Sequence, residues 1–71
     1  IAKGIKKIAQ KVGEEGVEVV IAALNETDDE YLGEMTDLLF HSLVLLHAKH
    51  LELSHLADKI RERHTEKIKE V

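Results

Sequence analysis

The sequence predicts an all-α protein, a small antiparallel helix bundle of 71 residues that is completed by dimerisation. Apolar residues recur at intervals of three and four along three segments, which is the period of an amphipathic helix. No proline interrupts the chain, and no stretch alternates apolar and polar residues as a strand does. A chain of this length makes one domain, residues 1–71, whose core is marginal on its own.

The first helix is expected to run from Ile1 to Leu24. Its apolar residues fall on one face and are Ile1, Ile5, Ile8, Val12, Val19 and Ala22. Gly13 and Gly16 lie inside the segment and weaken it by about 1 kcal/mol each relative to Ala. Glycines at such positions leave room for a neighbouring helix or for a ligand.

The second helix is expected to begin after Thr27 and to end near His50. Thr27 and Glu30 have the spacing of a capping box, in which each residue bonds the other's backbone N–H. The middle of this helix, from Leu38 to Leu46, is apolar on nearly every side, which predicts a central position. Because so short a chain cannot cover such a helix, we expect a homodimer or a larger homo-oligomer.

A third helix is expected after a short connector, Leu51–Leu53. Ser54 is the predicted N-cap, and Leu56 and Ile60 are the apolar positions that follow. The remainder, Arg61–Val71, is highly charged, so we expect its end to fray.

Composition excludes several classes of protein. The formal net charge of -4 disfavours nucleic acid as a partner, and the absence of cysteine removes disulfides and thiolate chemistry. The longest uncharged run, Leu38–Ala48, is too short to span a bilayer, so no membrane partner is expected. The chain begins at Ile1 and not at Met, and we therefore expect an N-terminal segment to precede it.

The most informative residues are four carboxylates on the two main helices, in two pairs with a spacing of three. They are Glu15, Glu18, Glu34 and Asp37. That spacing puts both members of a pair on one face of a helix. If the two faces meet, the carboxylates converge and need a cation, for which Mg²⁺ is the first candidate and Mn²⁺ the second. Glu14 and Glu15 are the candidate catalytic residues, with Glu14 a further ligand or a base for water.

Lysines precede the first acidic pair on the same helix. Lys7 and Lys11 form a line with Glu14 and Glu18, and Lys3 lies one turn earlier. On an ordinary surface this pattern gives ion pairs worth a few tenths of a kcal/mol. Beside a metal site, ammonium groups are natural partners of a polyphosphate, so both interpretations remain open.

Three residues further along the chain are weaker candidates for substrate binding. His41 lies one turn after Asp37 and either contacts a metal ligand, contacts substrate or is a satisfied core histidine. Arg61 and His64 belong to a cationic cluster near the C-terminus. The remaining histidines do not make a zinc site.

Several motifs resemble the phosphoribosyl-ATP pyrophosphohydrolase family of histidine biosynthesis, within the all-α MazG-like nucleoside triphosphate pyrophosphohydrolase superfamily. The acidic pairs alone indicate only the superfamily. The match includes Lys11-Val-Gly-Glu-Glu-Gly-Val-Glu18 and Glu34-Met-Thr-Asp-Leu-Leu-Phe-His41, and it is narrowed to the family by the Lys11-Val-Gly-Glu-Glu15 block and the ending Arg61-Glu-Arg-His64. The sequence departs from the family at Gly16 and Thr36, where Ala is usual, and at Phe40, where Tyr is usual.

The resemblance implies Mg²⁺-dependent hydrolysis of phosphoribosyl-ATP to phosphoribosyl-AMP and pyrophosphate by a cytoplasmic homodimer. It implies that the four carboxylates hold the metal and that the substrate is bound by Lys3, Lys7, Lys11, His41, Arg61 and His64. In this family the domain also occurs fused behind a cyclohydrolase domain. Two alternatives remain: a house-cleaning pyrophosphohydrolase acting on another nucleotide, and a helical oligomerisation module without chemistry. Substrate profiling separates the first, and a divalent-ion effect excludes the second.

Overall fold

The computed structural model describes residues 2–70, with side chains described for residues 4–65, and this part of the chain is all-α. Its three helices are α1 (Ala2–Asn25), α2 (Asp28–Ala48) and α3 (Leu53–Glu70), and no strand occurs among the described residues. The predicted fold class is confirmed. Ile1, which was expected on the apolar face of the first helix, lies outside the described residues.

The turn between α1 and α2 is closed by the predicted capping box. Thr27 has an extended backbone, and its hydroxyl oxygen accepts a hydrogen bond from the backbone N–H of Glu30 at 3.2 Å. The Glu30 carboxylate accepts in return from the Thr27 backbone N–H at 3.5 Å and from its hydroxyl at 2.9 Å. Because the link is this short, α2 turns back along α1 as its antiparallel neighbour.

The interface between α1 and α2 carries the least exposed side chains of the molecule. On α1 they are Ile5, Ile8, Val12, Glu15, Gly16, Val19 and Ala22, and on α2 they include Tyr31, Glu34, Leu38, His41, Leu45 and Ala48. Only Ala22 and Glu15 reach full burial, at 1% and 7% exposure among the described side chains. The predicted apolar faces therefore meet, with an acidic residue inside each of them.

α2 ends in a Schellman motif built around a left-handed residue. His50 has φ of 62°, its backbone N–H donates to the carbonyl of His47, and the N–H of Leu51 donates to the carbonyl of Leu46. These bonds satisfy carbonyls that the last turn of a helix leaves without partners. The chain then leaves α2 at Leu51, two residues before α3 begins.

Ser54 was wrongly predicted to cap the third helix. α3 begins at Leu53, so Ser54 lies inside its first turn. His55 replaces the serine, because its Nδ1 accepts a hydrogen bond from the backbone N–H of Glu52 at 2.8 Å. The backbone N–H of His55 donates to the Glu52 carbonyl at 3.0 Å, which closes the same turn.

Replacing His50 with Gly is expected to stabilise the protein by about 1 kcal/mol, because the left-handed conformation costs a residue with a Cβ roughly that much. His47→Gly, inside α2 and on the same exposed side, is the control and should destabilise by a similar amount. Urea unfolding of both variants checks the pair. A loss of stability in His50→Gly would show that the histidine side chain contributes more than its backbone costs.

The molecule is a flat layer and not a closed bundle. It measures 37 × 36 × 15 Å, so its thickness is close to that of one helix with its side chains. Its radius of gyration is 14.8 Å, against about 11 Å for a compact domain of this length. α3 contacts the α1–α2 hairpin only marginally, and all of its described side chains are exposed. No residue of α2 is buried, so its predicted central position is not reached within one chain.

Apolar side chains remain exposed on every helix. They form stripes that comprise Val17, Val20, Ile21 and Leu24 on α1, Leu32, Met35, Leu39 and Leu43 on α2, and Leu53, Leu56 and Ile60 on α3. Isolated exposed apolar residues are ordinary, but contiguous stripes indicate a surface that another molecule covers. None of the described helices combines the length and the apolar character needed to cross a membrane.

Candidate active site

The antiparallel hairpin brings the acidic pairs of α1 and α2 together. The carboxyl groups of Glu18 of α1 and Glu34 of α2 lie close enough to share a proton, which raises the pKa of Glu34 above its ordinary value of 4.5. Partial desolvation raises that pKa further, as does repulsion from Glu18, Asp37 and Glu26. The convergence predicted from the two spacings is therefore present for these groups.

Two carboxylate oxygens at this interface are shielded from water and accept no hydrogen bond. They are Oε1 of Glu15 and Oε2 of Glu34, one from each helix. A buried carboxylate oxygen without a partner costs free energy, so it requires a donor or a cation. Carboxylate oxygens are the ligands that hard divalent ions such as Mg²⁺ prefer, and Oε2 of Glu34 fits that need better than Oε1 of Glu15, which has Nδ1 of His41 at 2.7 Å.

Among the described residues, the four predicted ligands are not arranged as a complete metal-binding site. Among the described side chains, no three histidine, aspartate or glutamate groups lie close enough to hold an ion together. Glu15 and Glu34 face the helix interface, whereas Glu18 and Asp37 lie at its exposed edge. Like charges without a cation repel, and exposed carboxylates are free to separate.

His41 lies against Glu15, on the α2 side of the same interface. Its Nδ1 is 2.7 Å from Oε1 of Glu15 and 3.1 Å from the backbone carbonyl oxygen of Asp37. The angle at Nδ1 directs the hydrogen bond to the carbonyl, so the carboxylate oxygen remains without a formal bond of its own. This geometry fits two of the roles left open by the sequence, contact with a predicted metal ligand and a histidine satisfied by its neighbours.

The lysine line on α1 is exposed and unpaired. Among the described side chains, neither Lys7 nor Lys11 forms an ion pair, so the surface pairing expected for such a line is not present. Glu14 is also exposed and accepts a hydrogen bond from the Gln10 side chain at 3.2 Å. The side chain of Lys3 lies outside the described residues.

The two predicted substrate-binding residues of α3 are not brought to the carboxylates within one chain. Arg61 pairs with Asp58 on its own helix, and its side chain is 76% exposed. His64 is exposed three residues further on. Since α3 contacts the hairpin only marginally, a role for either residue in the site requires a second chain.

Sequence reasoning missed the pairing of Glu15 with His41. Residues at similar distances from the α1–α2 turn face each other in an antiparallel hairpin, and counting outward from that turn pairs Glu18 with Glu34. The same count places Glu15 near Leu38, so it does not predict the contact of Glu15 with His41, three residues further along α2.

Lowering the pH from neutral is expected to stabilise the metal-free protein through Glu34. Its pKa is higher in the folded state than in the unfolded state, so the folded state binds the proton more tightly and gains stability as the pH falls through that value. The measurement is the melting temperature in EDTA as a function of pH, for wild type and for Glu34→Gln. Subtracting the melting temperatures of the variant from those of wild type cancels the contribution of histidine titration. The difference is expected to shift in favour of wild type toward low pH, and a shift in its favour toward high pH would contradict the assignment.

Comparison with known proteins shows the family. The model of the phosphoribosyl-ATP pyrophosphohydrolase family matches residues 1–64, so the chain belongs to that all-α hydrolase family. It is 52% identical over 63 residues to the histidine biosynthesis bifunctional protein HisIE of Haemophilus influenzae, covering 89% of this chain and 28% of that protein. It is 50% identical over 62 residues to the phosphoribosyl-ATP pyrophosphatase of Erythrobacter litoralis, covering 87% of this chain and 60% of the relative.

A third relative, the phosphoribosyl-ATP pyrophosphatase of Bacillus cytotoxicus, is 48% identical over 63 residues, which cover 89% of this chain and 59% of that protein. The chain therefore spans about three tenths of a bifunctional relative and about three fifths of the single-function ones. No solved structure matches the chain. The resemblance seen in the motifs is confirmed, while the comparisons leave the role of each residue untested.

Proposed function

We propose that the protein hydrolyses phosphoribosyl-ATP to phosphoribosyl-AMP and pyrophosphate with Mg²⁺, the second step of histidine biosynthesis, in the cytoplasm. Membership of the family supports the reaction. The observation that carries the metal requirement is the shielded, unpartnered Oε2 of Glu34, at the helix interface that the Glu15 carboxylate also faces. A module that served only oligomerisation would have no reason to face two carboxylates across its helix interface.

The side chains divide into groups with different tasks. Glu15, Glu18, Glu34 and Asp37 would hold the cation, which when bound supplies positive charge for the triphosphate and lowers the pKa of a water. Lys7 and Lys11 carry free ammonium groups along the outer side of α1 and bind phosphate oxygens by charge-assisted hydrogen bonds. Glu14 is exposed beside the first acidic pair and is the proposed base for the attacking water.

The assembly that we propose is a homodimer or a larger homo-oligomer. A domain needs two packed layers of secondary structure to enclose a core, and one chain supplies a layer only 15 Å thick. α2 and α3 border an open groove of about 310 Å³, lined by Leu39, Ser42, Leu43, Leu45, Leu46, Lys49 and Leu56. A second copy laid across this groove and the exposed stripes would supply the missing layer.

At micromolar concentration the protein is expected to sediment as a dimer or a larger species, with no stable folded monomer. Folding and association are then one equilibrium, so the midpoint of urea unfolding should rise with protein concentration. Sedimentation velocity and unfolding at two concentrations tenfold apart check this. A folded monomer whose midpoint is independent of concentration would contradict the proposed assembly.

The reaction itself is tested by a substrate panel. Pyrophosphate release is measured from phosphoribosyl-ATP, ATP, dUTP and non-standard nucleoside triphosphates, each with Mg²⁺ and with EDTA. We expect kcat/KM to be highest for phosphoribosyl-ATP and turnover to vanish in EDTA. A preference for dUTP or another triphosphate would instead indicate a house-cleaning enzyme. Absence of turnover with every substrate would indicate a non-catalytic helical module.

A further inference from the structure

We propose that His41 is a positioning residue that orients the carboxylate of Glu15 for cation binding, an inference that rests on the proposed function. The two side chains come from different helices, Glu15 from α1 and His41 from α2. Three roles for His41 are compatible with the sequence, of which substrate binding is one. The structure assigns it a partner inside the helix interface.

The distances require a hydrogen on Nδ1 of His41. Two acceptors lie within reach of this nitrogen, the Glu15 carboxylate oxygen at 2.7 Å and the Asp37 carbonyl oxygen at 3.1 Å. A bare nitrogen lone pair would face oxygen lone pairs on both sides and would be repelled. With a hydrogen there, the bond to the carbonyl fixes the ring while the carboxylate is attracted to the same N–H.

The surroundings hold this imidazole in place. Its side chain is 26% exposed and that of Glu15 is 9% exposed, so water competes weakly for the contact. The ring of Phe40 meets it edge to face, with centroids 5.2 Å apart and an interplanar angle of 82°. A ring fixed by its own backbone and by a neighbour can restrict the orientation of a carboxylate on the opposite helix.

Such a contact affects metal binding, because the residues that contact a metal ligand set the orientation and the basicity of that ligand. Loss of a partner of this kind typically weakens metal affinity by about ten- to a hundredfold. One oxygen of Glu15 lies at the histidine, which leaves the other oxygen of that carboxylate for the cation. A histidine that only filled space would affect stability but not the affinity for the metal.

The first experiment measures Mn²⁺ affinity by calorimetry on the assembled, full-length protein. His41→Leu keeps the volume but removes the N–H, and we expect Mn²⁺ to bind about ten- to a hundredfold more weakly. His41→Asn can place an amide N–H near the position of Nδ1 and should recover most of the affinity. His47→Leu, on the same helix but exposed, is the matched control and should bind Mn²⁺ as wild type does.

The second experiment records the ring nitrogens of His41 by NMR in metal-free protein, with His41→Leu used to assign the signals. A protonated Nδ1 is expected, and an unprotonated Nδ1 would overturn the proposal. Equal Mn²⁺ affinity in wild type and His41→Leu would also overturn it while leaving the proposed function intact. If wild type itself binds no Mn²⁺, the proposed function fails and this inference fails with it.

Discussion

Glu34→Gln is expected to lower kcat/KM by about a hundredfold or more while the helices remain folded. The variant keeps the shape of the side chain but removes the charge, and a cation's stabilisation of the transition state amounts to several kcal/mol. It also removes the repulsion that raises the pKa of Glu34, so the metal-free variant should melt at a higher temperature than wild type near neutral pH. Asp37→Asn is expected to lower turnover in the same way.

The matched control is Glu52→Gln, which changes an exposed carboxylate in the connector before α3. It should alter neither turnover nor the response to Mg²⁺. Pyrophosphate release at saturating Mg²⁺ and circular dichroism in EDTA are measured for all three variants. Normal turnover in both Glu34→Gln and Asp37→Asn would refute the assignment of these carboxylates.

Changing both Lys7 and Lys11 to Ala is expected to reduce kcat/KM strongly with almost no change in melting temperature. Their side chains are exposed and form no ion pair among the described residues, so they contribute well under about 1 kcal/mol to stability. As contacts to a polyphosphate, each is worth about 1.5–3 kcal/mol, which is roughly ten- to a hundredfold in kcat/KM. Steady-state kinetics and a thermal melt check the two halves of this expectation.

Lys6→Ala is the control for the lysine variant, because Lys6 is also exposed on α1 but points away from the line formed by Lys7 and Lys11. Its kcat/KM should stay close to that of wild type. A double variant with intact kcat/KM and a lowered melting temperature would make the lysine line a solvated helix face that serves only folding.

The α1–α2 hairpin could be predicted from the sequence because local signals and apolar periodicity agree there. The spacing of Thr27 and Glu30 located the turn, and the stripes that contain Glu15 and Glu34 identified the faces that meet. Two faces and a short turn leave little freedom of register, so the approach of Glu18 to Glu34 followed, whereas the four carboxylates do not gather into one group among the described side chains. These features depend on residues near one another along the helices.

What could not be predicted depends on geometry between elements. Ser54 failed as a cap because α3 begins before it, at Leu53, although serine ranks among the preferred capping residues. The contact of His41 with Glu15 depends on the rotation of two helices about their axes, which apolar periodicity fixes only coarsely. The separation of Arg61 and His64 from the carboxylates follows from the marginal contact of α3 with the hairpin, which the apolar pattern of α3 does not predict.

Titration with Mn²⁺, followed by electron paramagnetic resonance, tests most directly whether the facing carboxylates form one cation site. The signal of free Mn²⁺ is recorded against protein concentration for wild type, for the double variant Glu15→Gln with Glu34→Gln, and for Glu52→Gln. Wild type and Glu52→Gln are expected to bind Mn²⁺ saturably and with equal affinity, and the double variant should bind none at the same concentrations. Equal binding by all three proteins would contradict the account, since the carboxylates of Glu15 and Glu34 would then have no part in holding a cation.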